Sequence, residues 1–131
     1  MDFSKMLSVL QQAIPSLTAL YVFGSHASGD AGASSDLDLA IMADDGLQPD
    51  QLWELSSSLA DIAGCHVDLL DLRAASTVMQ YRIITTGQRL WAKNSQAALY
   101  ESFILSQKTA LDEARAGLLQ DIQKTGTVYA R

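Results

Sequence analysis

The sequence has one cysteine, two prolines and only nine Lys and Arg against fifteen Asp and Glu. A lone cysteine, Cys65, excludes an internal disulfide and suits a reducing compartment, so a cytoplasmic location is expected. No apolar run reaches the roughly 18 to 20 residues that cross a bilayer, so no membrane association is expected. The N-terminal MDFSKMLSVLQQAIPSL has an acid at position 2 and no small-residue cleavage pattern, unlike a signal peptide. The shortage of basic residues leaves a net charge of −6. Direct nucleic-acid binding is therefore not expected, because phosphate backbones need a basic surface. The acidity fits a metal site or a basic protein partner, and equally a simple contribution to solubility. Residues 1–131 read as a single domain of ordinary globular composition, 48% apolar and 18% charged.

The apolar spacing lays out an alternating order of elements. Phe3, Met6, Leu7, Leu10 and Ile14 predict an amphipathic helix over residues 2–13, ended by Pro15 and Ser16. LTALYVFG then reads as a strand covered on both faces. The stretch from Gly24 to Ser35 reads as a short helix start followed by a loop. Residues 36–42, DLDLAIM, form a second predicted strand. Leu52, Leu55, Leu59 and Ile62 predict a helix over 49–63, with Gly64 as its C-cap. CHVDLLD, 65–71, is a third strand, and Ser76 N-caps a helix that runs to Thr86 and stops at Gly87. QRLWA, 88–92, is a short fourth strand. A long helix from Ser95 to about Lys124 carries Tyr100, Phe103, Leu111, Ala114, Leu118 and Ile122 on one stripe. The fold class is α/β (α+β): a small mixed sheet of about four strands with helices packed on it and a long C-terminal helix.

The chemistry concentrates in FGSHASGDAGASSDLDLAIM. Residues two apart on a strand share a face, about 6.5–7 Å apart, so Asp36 and Asp38 project side by side. Leu37, Leu39 and Ile41 point the other way, into the core. Two carboxylates on an apolar strand repel and are costly to desolvate, and a divalent cation such as magnesium removes that penalty. In the third strand His66, Asp68 and Leu70 share one face. If that strand lies beside the second, Asp68 joins the pair, either as a further metal ligand or as a general base. Gly24 allows close backbone approach and Ser25 supplies a hydroxyl donor, so this turn can grip an anion. Each feature has a plainer reading: strand-end acids for Asp36, Asp38 and Asp68, and a turn hydroxyl for Ser25. Their order and spacing on apolar strands favour the site. His26 reads as a surface histidine, Cys65 as a small buried residue, and Trp53 and Trp91 as packing residues.

Gly24-Ser25, ten residues, then Asp36-Leu37-Asp38 resembles the signature of the nucleotidyltransferase superfamily related to DNA polymerase β. With HVDLLDLRAASTVMQYRIITTGQRLWA behind it, the chain most resembles the minimal nucleotidyltransferases, which are usually paired with a HEPN-domain partner. The resemblance covers about residues 17–92. It implies a nucleotidyltransferase fold and an antitoxin that moves AMP from ATP to a tyrosine hydroxyl of a HEPN ribonuclease toxin. It implies metal binding, two magnesium ions, at Asp36, Asp38 and Asp68, and ATP contacts at Gly24, Ser25, Ser35 and Arg82. One departure stands out: relatives often carry a basic residue after Gly-Ser, and here only His26 offers charge. Arg73 or Arg82 are the candidates to supply it, and Arg82 alternatively pairs with a surface acid. Two rival functions remain open: an antitoxin that masks its partner by contact alone, and a small-molecule nucleotidyltransferase that modifies an antibiotic-type hydroxyl.

Overall fold

The computed structural model describes residues 1–29, Gly32 and 35–125, with side chains through Gly117. The expected positions Leu118 and Ile122 lie beyond the described side chains, and part of the loop expected before Asp36 lies outside the described residues. The order is α1 (Phe3–Ala13), β1 (Leu17–Phe23), α2 (Ser25–Ser28), β2 (Leu37–Ala43), α3 (Pro49–Ala63), β3 (Val67–Asp71), a 3-10 turn (Leu72–Ala74), α4 (Thr77–Thr86), β4 (Gln88–Ala92) and α5 (Gln96–Thr125). The sheet runs β3-β2-β1-β4. It is mixed: β1 is antiparallel to β2 and to β4, whereas β2 and β3 are parallel.

Both faces of the central strands are covered, which explains why LTALYVF carries no polar alternation. On one face Leu20, Val22, Leu37, Leu39, Ile41, Val67 and Leu69 meet Met6 and Leu10 of α1 and Leu55 and Leu59 of α3. On the other, Ala19, Tyr21, Ala40 and Met42 meet Ile83 of α4 and Ala97 of α5. The small side chains of Ala19, Ala40 and Ala97 let α5 lie close to the sheet. Thr18 is buried at an irregularity of register between Leu17 and Ala19, and its hydroxyl donates to the Met42 carbonyl at 3.0 Å.

The element boundaries follow their capping chemistry. Gly64 ends α3 in the left-handed region at φ 75°. Ser76 accepts the Met79 N–H at the start of α4. Asp71 likewise accepts the Arg73 N–H and nucleates the 3-10 turn that the sequence reading omitted. Two strands start later than expected: β2 at Leu37 and β3 at Val67, because their first ladder bond is Leu37 N–H to the His66 carbonyl, 2.9 Å. The stripe expected on the last helix is only partly buried. Of its members Tyr100 is half-buried, whereas Phe103, Leu111 and Ala114 are exposed; the covered residues are Ala97 and Ile104, which place the buried face of α5 beside the expected one.

A polar tether fixes α5. The buried Tyr21 hydroxyl donates to Glu101 Oε2 at 2.7 Å, and Arg89 Nη1 donates to the same oxygen at 2.7 Å. Burial, reinforced by the Glu101 carboxylate, holds the Tyr21 phenol far above its ordinary range, so it remains a donor. Tyr21→Phe is expected to cost about 1–2 kcal/mol in urea unfolding, with an unchanged denaturant slope. An unaltered midpoint would show that the tether contributes nothing.

Candidate active site

Along β2 every residue is buried except Asp38. Its ladder partners are Phe23 on β1 and Asp68 on β3, so Asp38 sits between the end of β1 and a second carboxylate. Asp36 lies just before the strand. Burial raises the Asp38 pKa, and then the Asp68 and Asp36 charges raise it further; His26 and His66 pull in the opposite direction. The three predicted acids are therefore close enough to feel one another. Asp68 is two-thirds exposed, and its Oδ1 lies 3.6 Å from His66 Nε2. Among the described residues no three acidic, histidine or cysteine side chains converge tightly enough to form a ready-made metal cage. The donor chemistry nevertheless fits a hard divalent cation: oxygen ligands only, on adjacent strands, with one carboxylate already held in an unfavourable charged state.

Opposite these acids, β1 ends and the chain turns at Gly24, where φ is 73°. Glycine is required there for the backbone angle, with Asp38 Oδ2 crowding the space beside it. The turn starts α2 and puts Ser25 beside Asp38. Both line a cavity of about 560 Å³ with Phe23, Ser28, Met79, Arg82 and Thr86. Gly87 brings α4 to this cavity: a side chain there would meet the Val22 carbonyl at 2.7 Å. Arg82 thus supplies the positive charge that the segment after Ser25 lacks. Arg73 does not reach the cavity; its Nη1 donates to the Ala43 carbonyl at 2.9 Å, at the other end of β2.

Ser35 lies outside the cavity lining, its hydroxyl accepting the Gly32 N–H at 2.8 Å. Its carbonyl is 3.3 Å from His26 Nε2, so His26 ties the loop back to α2. Met79 and Thr86 were not anticipated from sequence. With Arg82 they fall at i, i+3 and i+7 on α4, a stripe that could have been read as one face. Trp53, expected to pack, is instead 77% exposed, because it projects from the outer side of α3.

A family model described as "Polymerase beta, Nucleotidyltransferase" matches residues 4–96. The chain belongs to this nucleotidyltransferase family. It is 34% identical over 119 residues to the protein adenylyltransferase MntA of Shewanella oneidensis, across 91% of this chain and 86% of that protein. A solved toxin–antitoxin with AMP-PNP superposes with a TM-score of 0.82 and 33% identity, covering 94% of this chain and 99% of that one. A solved complex of a tri-AMPylated HEPN toxin with an MNT antitoxin, from Shewanella oneidensis, gives a TM-score of 0.74 and 32% identity, covering 92% and 94%. As an enzyme of the nucleotidyltransferase family, the chain carries Asp38 and Asp68 on the parallel strands β2 and β3 and its Gly-Ser turn at the end of β1, antiparallel to β2.

The raised Asp38 pKa has a consequence for stability. An acid whose folded pKa exceeds its unfolded one favours the fold below the ordinary carboxylate range, and that contribution is lost as pH rises through the raised value. At about pH 7 the ionised Asp38 therefore opposes folding when no cation neutralises it. Asp38→Asn is expected to raise the thermal midpoint in chelator at about pH 7, by an amount that shrinks towards about pH 3. A lower midpoint at neutral pH would contradict the electrostatic account.

Proposed function

We propose that this nucleotidyltransferase is an antitoxin that transfers AMP from ATP to a tyrosine hydroxyl of a cognate HEPN-domain toxin. The observation that carries the reading is Asp38, in register with Asp68 on the next strand, facing the Gly24-Ser25 turn across one cavity, in a chain that aligns almost end to end with a chain of a toxin–antitoxin solved with AMP-PNP. The reading takes residues 1–131 as one minimal nucleotidyltransferase domain, with its core at about 17–92. A cytoplasmic location goes with it, since ATP is supplied there.

Asp36, Asp38 and Asp68 would hold magnesium, two ions in the fullest form; the cation supplies charge neutralisation for the triphosphate and the departing diphosphate. The chain's own groups do the rest. Ser25 donates its hydroxyl to phosphate oxygens. Arg82 draws the triphosphate into the cavity from the α4 side. Met79 and Phe23 provide apolar walls that exclude water. The tyrosine oxygen forms a bond to the α-phosphorus while the bond to the bridging oxygen of the β-phosphate breaks, releasing diphosphate. Asp68, the carboxylate open to solvent, accepts the hydroxyl proton.

Incubation with ATP, magnesium and the cognate HEPN-domain toxin is expected to add an AMP-sized mass to the toxin. The double substitution Asp36→Asn and Asp38→Asn is expected to lower the rate by at least roughly 100-fold. No mass gain with the unaltered chain would overturn the enzymatic reading. Neutralisation of the toxin that survives the double substitution would replace it with masking by contact.

A further inference from the structure

The row Phe23–Asp38–Asp68 crosses three adjacent strands, a span of about 10 Å. Its two ends open on different hollows. At the β1 end lies the cavity of the Gly-Ser turn. At the β3 end lies a second hollow of about 370 Å³, between α3 and the start of β3, lined by Trp53, Ser56, Ser57, Ala60, His66 and Asp68 together with Val67. Of its lining, only Asp68 enters the transfer chemistry above. Yet in-line displacement requires the attacking oxygen to enter opposite the leaving diphosphate. With phosphates held at the β1 end, the acceptor comes from the β3 end.

We infer that the Trp53 hollow is the docking site for the acceptor segment, a basic stretch of the partner protein carrying the tyrosine that receives AMP. This inference rests on the transfer reading above and names where its second substrate binds. Three observations support that occupant. Among the described residues Trp53 is the most exposed of the large apolar side chains, at 77%, and offers an indole face to an aromatic ring. The hollow has the size for one aromatic side chain, with Ser56, Ser57, His66 and Asp68 as its polar lining. Alongside, α3 exposes Asp50, Glu54 and Asp61 and carries no Lys or Arg, so the flanking charge that fits is positive. Trp53 is thus a positioning residue, separate from the groups that act on the phosphates.

The test is initial-rate kinetics of AMP transfer to the cognate HEPN-domain protein, varying that protein and ATP in turn. Trp53→Ala is expected to raise KM for the protein substrate about tenfold and leave KM for ATP unchanged, with Trp53→Phe restoring most of the loss. Glu54→Lys is expected to raise the same KM and to weaken its dependence on salt. Because both side chains are exposed, neither change threatens the fold. An unchanged KM for the protein overturns the assignment. A raised KM for ATP does so too, since the hollow would then belong to the nucleotide. If the unaltered chain transfers no AMP at all, the transfer reading fails and this one fails with it; a defect confined to the Trp53 and Glu54 variants leaves the transfer reading standing.

Discussion

Asp38 and Asp68 stay side by side because the strands that carry them cannot slide. Leu37, Leu39 and Ile41 on β2, and Val67 and Leu69 on β3, are packed against α1 and α3 on one face of the sheet. A shift of one residue in either strand would turn that apolar set outward and drive a carboxylate into the core. Hydrophobic burial therefore enforces a like-charge pairing that the carboxylates themselves resist; the Asp38 pKa is raised first by its own burial and then by the Asp68 and Asp36 charges. Everything else about the site follows from the same row. Gly24 is glycine because its φ of 73° lies in the left-handed region, with Asp38 crowding the space beside it, and the Gly-Ser turn inherits its position from the end of β1.

Much of this was legible in the sequence wherever a residue type has one dominant local role. The glycine at 64, the serine at 76 and the glycine at 87 set the ends of α3 and α4, and the D-L-D alternation oriented β2. The pairing of β2 with β3 needed a conditional statement, since parallel partners are joined through a helix and leave no turn signature. What stayed hidden depends on the tertiary arrangement. Arg82 and Arg73 are equally plausible cations along the chain, and only the close approach of Gly87 to the Val22 carbonyl brings one of them to the cavity. Trp53 looked like core because tryptophan usually is, whereas its position on α3 falls outside the Leu55 and Leu59 stripe. The length over which α5 would be covered was unreadable, because apolar residues at helical spacing do not reveal where the sheet beneath them ends.

The molecule divides its labour by face and by edge. The α1 and α3 side supplies the apolar packing that fixes register. The α4 side closes the phosphate cavity with Met79, Arg82 and Thr86. The α5 helix is lashed to β1 and β4 through Tyr21, Glu101 and Arg89, then extends past the sheet with Leu105 and Leu111 exposed. Among the described residues no helix is long and apolar enough to cross a membrane.

The most direct measurement of the central claim is a crystal structure of the chain with manganese and a non-hydrolysable ATP analogue. The account predicts an anomalous peak among the Asp36, Asp38 and Asp68 carboxylates, with the triphosphate against Gly24 and Ser25 and within reach of Arg82. A cation bound away from those acids, or a triphosphate lodged anywhere other than the Gly-Ser turn, would contradict it.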